Sequence, residues 1–403
     1  MQYEFDSEID RRATGSVKWE VIQSPTDPGR WIRTDAYFGA NRMLPLWVAD
    51  MDFACPSAVI EALQKRARHG IFGYTQPDDA YFDAVTGWMK RQQGWEIKKE
   101  WIVITPGVVP ALHMLVRTFV EPGRKVLVQR PVYYPFFSAV ENNGAMTASN
   151  ALVLKDGRYR MNFDDLERKA ADPDVQMAIL CSPHNPVGRI WSRQELARFG
   201  EICYRNQVLV VSDEIHGDLV FPGKTFTPYA VVNESRMDKA VICTAPSKTF
   251  NLAGLHTSNI IIPSQTIRER FQKTLRGNGI SGINPFGMVA CREAYNKAEG
   301  WLEQLKAYLQ GNLEAMQDLF QQKIPHIPII EPDGTYLVWF DCRGLELNDG
   351  DLRTLMLQKA RVFLDEGYIF GSEGSGFERI NIACPRAVLM EASHRIVSAI
   401  ASL

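Results

Sequence analysis

Short, nearly continuous apolar runs alternate along this chain with longer stretches whose apolar positions recur every three or four residues. The short runs fall at 101–105, 125–129, 177–181, 208–212, 240–244 and 258–262. Continuous rather than alternating, they predict strands of a parallel sheet buried on both faces. Between them the spacing predicts helices. Val59, Ile60, Leu63 and Ala67 mark one apolar face, with Pro56 near the first turn and Gly70 past the end. Val108, Val109, Leu112, Leu115, Val116 and Phe119 mark another, which Pro122-Gly123 stops. A third helix is predicted over 193–205. The alternation reads as an α/β domain, whose ligands bind at the carboxyl ends of the strands.

The pattern changes near residue 290. Trp301, Leu302, Leu305, Tyr308, Leu309, Leu313, Met316 and Phe320 form a long helical stripe. A turn at 331–334 precedes a strand over 335–340, then a helix near 351–361 and a glycine-rich loop over 371–376. Residues 379–383 alternate like a strand, and Leu389, Ala392, Ile396 and Ile400 face inward on a last helix. These elements predict a smaller α+β domain. Residues 1–45, with Pro25, Pro28 and Gly29 as breakers, read as an N-terminal arm that completes it. The expected division is 1–45 for the arm, 46–288 for the large domain and 289–403 for the small one. No repeat or low-complexity segment interrupts it.

At 403 residues, two domains are the expectation, and 45% hydrophobic with 23% charged residues is ordinary for a globular protein. A net charge of −2 gives no argument for a nucleic-acid or membrane-surface partner. No apolar run reaches transmembrane length, and the acidic start lacks a signal-peptide pattern. Seven cysteines show neither Cys-x-x-Cys nor metal-like spacing. Cys181, Cys203 and Cys243 sit in or beside apolar runs and read as reduced packing residues of a cytoplasmic protein.

The strand ends carry the candidate chemistry. After 101–105 stands Gly107 and a helix start, whose free amides at Gly107, Val108 and Val109 suit a phosphate. After 125–129 comes the aromatic pair Tyr133-Tyr134, after 177–181 comes Asn185, and after 208–212 comes Asp213. After 240–244 comes Lys248, in a loop of small residues. Pyridoxal phosphate needs an imine-forming lysine, a carboxylate for its ring nitrogen, a phosphate cradle and a flat partner. Lys248, Asp213, the Gly107–Val109 amides and Tyr133 supply them, with Asn185 for the ring oxygen O3′. Arg379 can grip a substrate carboxylate with two parallel hydrogen bonds. Each has a plain structural alternative: a helix cap for Asp213, a turn former for Asn185, a core aromatic for Tyr133, a strand-edge charge for Arg379. Their shared edge and order favour the functional reading. The run 44–53 places Asp50 and Asp52 in an apolar stretch, as a site-lining loop or as a turn with solvated acids.

The chain resembles the fold-type I pyridoxal phosphate enzymes of the aspartate aminotransferase superfamily over nearly its whole length. Trp47-Val48-Ala49-Asp50-Met51-Asp52-Phe53, Phe72-Gly73-Tyr74, Pro131-Val132-Tyr133-Tyr134-Pro135-Phe136, Asp213-Glu214-Ile215-His216 and Ser247-Lys248-Thr249-Phe250-Asn251 look like the MalY/PatB-type cystathionine β-lyases, or C–S lyases. The first run is the most specific. The resemblance implies a mostly parallel seven-stranded sheet covered by helices, beside a smaller α+β domain. It implies Lys248 as the Schiff-base lysine, Asp213 on the ring nitrogen, Asn185 on O3′ and Tyr133 stacked on the ring. It adds His216 and Ser247 as cofactor contacts, Arg379 on the substrate carboxylate and Ala49 through its amide. Tyr74 would reach the phosphate of a partner subunit, which implies a homodimer with shared active sites. Aminotransferases usually have a tyrosine where His216 stands, an arginine where His256 stands, and often a serine where Ala245 stands. Those departures point away from a typical aminotransferase.

The expected reaction is α,β-elimination of L-cystathionine or a related cysteine S-conjugate to pyruvate, ammonia and a thiol. Lys248 would move the Cα proton, with Tyr134 near the leaving group. Transamination is the alternative, because it shares every step up to the Cα carbanion. A regulatory binding protein on the same fold is the second alternative.

Overall fold

The computed structural model describes residues 2–24, 30–33 and 42–403. The breakers Pro25, Pro28 and Gly29 lie outside them. The large sheet has seven strands: Ile102–Thr105, Lys125–Val128, Met146–Ser149, Val175–Cys181, Leu209–Asp213, Ala240–Thr244 and Ser258–Ile261. Across the sheet they run in the order of their first residues 102, 258, 240, 209, 175, 125 and 146. Ser258–Ile261 lies antiparallel to both neighbours, and the other pairings are parallel. Side chains alternate between two cores. Leu127, Ala178, Leu180, Val210 and Ile242 face one, with Leu196 and Phe199 of the helix Arg193–Arg205. Val126, Val128, Met177, Ile179, Val211 and Val241 face the other, with Leu112, Leu115 and Val116 of the helix Val108–Phe119. Both faces are covered, which is why these strands read as unbroken apolar runs.

Three expectations are corrected. The strand Met146–Ser149 was not foreseen, because Met-Thr-Ala-Ser is short and weakly apolar; as an edge strand, it leaves Met146 exposed. The helix Ser57–Arg68 forms where predicted, but of its four apolar positions only Val59 is fully buried. Ile60 and Ala67 face outward. The helix near 351–361 is present but is α-helical only over Asp349–Thr354 and continues as a π-helix over Leu355–Ala360.

The second sheet has four strands, in the order Ile329–Ile330, Leu337–Asp341, Phe377–Asn381 and Asp365–Glu366. The helix Glu299–Lys323 and the final helix Arg386–Ala401 share its core. Leu44–Pro45 pairs in parallel with Val362–Phe363, so the arm joins this part of the molecule. The helix Pro285–Lys297 runs across residue 288 and packs on Ser57–Arg68 and Asp79–Gln93. All seven cysteines are unpaired, and six are buried. No helix among the described residues is long and apolar enough to cross a membrane.

Candidate active site

The carboxyl ends of the parallel strands meet the second sheet, and the predicted residues converge there. Asp213 is the last residue of its strand. Lys248 lies in the single turn Pro246–Thr249 that follows Ala240–Thr244. Backbone bonds tie neighbouring loops together: Tyr133 N donates to Asn185 O at 3.1 Å, Ser182 N to Asp213 O at 2.9 Å, and Glu214 N to Cys243 O at 2.9 Å. Beside the lysine turn, Thr249 Oγ1 donates to half-buried Asp218 at 2.8 Å, which also takes Trp88 Nε1 and Gln93 Nε2.

Lys248 is half-buried, and its Nζ donates to the Ala49 carbonyl at 2.6 Å. Burial holds its amine down to about 8, and the Arg379 charge acts in the same direction while Asp50 and Asp213 oppose it. Asp213 is buried, with the Ile215 amide on Oδ1 at 3.2 Å. Burial pushes its carboxyl up to about 7 against the pull of that amide and of Lys248. His216 is buried with Nδ1 unpartnered among the described residues. Burial first, then the charges of Lys248 and Arg379, push its imidazole down to about 3, so it is neutral at pH 7. Arg379 donates from Nη1 to Asn185 Oδ1 at 3.0 Å and from Nη2 to the Trp47 carbonyl at 2.6 Å. Nη2 also pairs with Asp365, and the guanidinium lies 5.0 Å from the Phe370 ring centre.

Tyr133 and Tyr134 touch, with ring centres 5.4 Å apart. Loss of water around the hydroxyls raises both phenols, that of Tyr134 to about 12 although the residue is 37% exposed, so both hold their protons at neutral pH. The helix Val108–Phe119 begins just after Gly107. Its first-turn amides at Val108 and Val109 precede the bond from Ala111 N to Gly107 O at 3.1 Å. Ser247 is half-buried, and its carbonyl accepts from Leu252 N at 3.0 Å. Two positions stand apart in the single chain: Tyr74 is fully exposed on the loop after Gly70, and His256 is exposed with a φ of 49°.

The loop 47–53 comes from far away in sequence and is pinned over the lysine. Asn251 accepts from Met51 N at 2.9 Å and donates to Met51 O at 2.9 Å and Phe53 O at 3.1 Å. It does so from the left-handed region, at a φ of 58°. Asn381 Nδ2 holds the carbonyls of Val48 and Asp50, each at 2.6 Å. The two acids of this loop are fixed by the arm. Arg11 bridges Asp50 and Asp52, while Lys18 Nζ at 2.7 Å and Trp19 Nε1 at 2.8 Å also reach Asp52. Burial alone would raise the Asp52 carboxyl, but these partners outweigh it and hold it below its ordinary value. Asp52 is thus a structural acid, neither solvated nor in the pocket. Replacing Asn251 by alanine should cost about 3 kcal/mol, since three bonds are lost and alanine resists a positive φ. Denaturant unfolding measures this, and an unchanged midpoint would exclude the clamp.

Two residues escaped the sequence reading. Tyr336 donates its hydroxyl to the same Ala49 carbonyl at 2.9 Å, and its ring lies 6.0 Å from His216. Asp365 pairs with Arg379 across the second sheet, directly opposite it in register. Both sit in short strands or turns with no motif around them.

The set fits a pyridoxal ring on this structure's own terms. A buried acid at Asp213 has no cation hydrogen-bonded to it among the described residues, a lysine amine is partly unprotonated at neutral pH, and a helix start offers amides with no partner inside the helix. The family model described as aminotransferase class I and II matches residues 41–396. The chain belongs to that family. Within it, the chain is 44% identical to the cystathionine beta-lyase PatB of Bacillus subtilis (strain 168), over 98% of this chain and 99% of the relative. It is 32% identical to protein MalY of Escherichia coli (strain K12), over 99% of each. Cystalysin from Treponema denticola, solved with a pyridoxal 5′-phosphate cofactor, superposes with a TM-score of 0.93 at 38% identity, over 100% of both chains. The MalY/PatB resemblance therefore holds over the full fold, including the seven-stranded sheet and the smaller second domain.

Proposed function

We propose that this chain is a pyridoxal phosphate-dependent C–S β-lyase that converts L-cystathionine or related cysteine S-conjugates to pyruvate, ammonia and a thiol. The observation that carries the reading is the lowered Lys248 amine facing Asp213 and Arg379, in a chain 44% identical to PatB. Bound pyridoxal phosphate supplies the carbonyl that takes an amine and the ring that accepts the electron pair left at Cα. The chain's residues do the rest. Lys248 Nζ anchors the cofactor and, once freed, removes the Cα proton; an amine near 8 is partly unprotonated at neutral pH, as a base must be. Asp213 would hold a proton on the ring nitrogen, and the Asn185 amide would donate to O3′. Tyr133 would lie against the ring. The Gly107–Val109 amides would hold the phosphate, with Ser247 and neutral His216 as further contacts. Arg379 takes the substrate carboxylate, with the Ala49 amide beside it. Tyr134 stands by the departing sulfur.

The active unit of this reading is a homodimer, in which Tyr74 reaches the partner's phosphate site. The exposure of Ile60, Ile71, Phe72 and Tyr74 along one stretch supports it, because apolar groups set together seek cover. The arm 1–45, a cofactor-binding domain over 46–288 and a small domain over 289–403 make up the subunit. A cytoplasmic setting accords with seven unpaired cysteines.

The test is release of pyruvate and free thiol from L-cystathionine by the purified protein with added pyridoxal phosphate. Equal amounts of the two support elimination. A keto acid that keeps its sulfur would replace the lyase reading with transamination. No product from any cysteine S-conjugate, despite bound cofactor, would sink it.

A further inference from the structure

Arg379 has no free two-pronged edge. A guanidinium carries five N–H donors. Both hydrogens on Nη2 are engaged, one by the Trp47 carbonyl and one by Asp365. One hydrogen on Nη1 goes to Asn185 Oδ1. Nε–H is buried without a partner among the described residues. A carboxylate held by two parallel bonds uses Nη2 on either edge, with Nη1 at the end or with Nε along the side. A substrate carboxylate cannot grip Arg379 in this way until Nη2 gives up an acceptor.

The two acceptors differ. The Trp47 carbonyl belongs to a pinned backbone. Leu46 N donates to Phe363 O at 2.8 Å, Asn381 N donates to Leu46 O at 2.8 Å, and the Trp47 indole donates to Lys18 O at 3.1 Å. Asp365 offers a side chain that can rotate. If it stayed, Nη2 would have no donor left for a second carboxylate, and a two-pronged grip could not form.

We propose that Asp365 is an internal competitor for the substrate's carboxylate, holding Arg379 paired until an amino acid displaces it from Nη2. The inference rests on Arg379 being the carboxylate site. It makes Asp365 a positioning residue with a role in selectivity: only a ligand that brings its own carboxylate replaces the charge that Arg379 gives up.

The experiment titrates the holoenzyme by calorimetry with two probes. L-Alanine carries the carboxylate but no leaving group on Cβ, and L-alaninamide lacks the carboxylate. Asp365→Asn should bind L-alanine about tenfold more tightly than the native protein, as two competing charges become one. Its affinity for L-alaninamide should be unchanged. Weaker or equal L-alanine binding would show that Asp365 only braces Arg379 and would overturn the proposal. Arg379→Gln separates the underlying reading. If L-alanine binds Arg379→Gln as it binds the native protein, the carboxylate site lies elsewhere. If that variant binds weakly while Asp365→Asn gains nothing, only the competitor role fails. Should Asp365→Asn not fold, a crystal structure of the native holoenzyme with L-alanine decides. The ligand carboxylate on Nη2 with the Asp365 contact broken supports the proposal, and an intact contact beside a two-pronged carboxylate refutes it.

Discussion

Lys248→Ala should lower pyruvate release from L-cystathionine by at least about a thousandfold, the upper part of the range for losing a positioned proton-transfer group. The variant keeps Arg379, Asp213 and the aromatic pair, so it should still bind cofactor and substrate. What it loses is the amine that, on the proposed reading, takes the Cα proton. A second readout needs no turnover. A lysine whose folded pKa lies near 8 rather than at 10.5 binds fewer protons folded than unfolded between those values. Stability of the cofactor-free protein therefore gains from this group as pH rises from about 8 to about 10.5, and Lys248→Ala lacks that gain. Product release in Lys248→Ala at native speed would remove the lysine from the chemistry. Equal pH profiles of stability would show instead that its amine is not disfavoured in the fold.

Asp213→Asn is expected to cost about a hundredfold to a thousandfold in kcat/KM, as removal of a preorganised charge does. Asparagine keeps the shape but could not hold a proton on the ring nitrogen, the role proposed for Asp213. Here the pH sign is opposite. A carboxyl raised from 3.8 to about 7 keeps its proton in the fold where the unfolded chain has lost it. Its stabilising contribution is complete below about pH 4 and is lost as pH rises through about 7. The cofactor-free Asn variant should lack that decline and be more stable than the native protein at pH 8. On the proposed reading the cofactor would bring a cation to Asp213, so added pyridoxal phosphate should stabilise the native protein more than the variant. Unfolding midpoints at pH 4 and 8, with and without cofactor, measure all of this. Parallel midpoints for the two proteins would mean that Asp213 does not meet the ring.

These effects trace to features that were legible to different degrees. Asp213, Asn185 and Lys248 could be picked out because strands of a parallel sheet end on one edge, and the residues that follow are brought together by topology alone. The apolar face drawn through Ile60 and Ala67 failed because periodicity marks what can be covered, not what covers it within one chain. Met146–Ser149 went unseen because an edge strand needs only one apolar neighbour. Asp52 was ambiguous because its fate depends on Lys18 and Arg11, in an arm with no pattern of its own.

The sequence by itself determined the alternation of strands and helices, the residues that stand at the strand ends and the family. Local patterns encode those, since each strand must be apolar to be buried and each loop must carry what the edge presents. Only the tertiary structure decided how the pieces meet. Ala49 lies 199 residues from Lys248 and 287 from Tyr336, yet its carbonyl takes a bond from both. Asp365 faces Arg379 because two short strands pair in one register, and a shift of one residue would turn Asp365 to the opposite face of the sheet. Such contacts are set by the packing of the second sheet and the 47–53 loop against the strand ends, which no local spacing records.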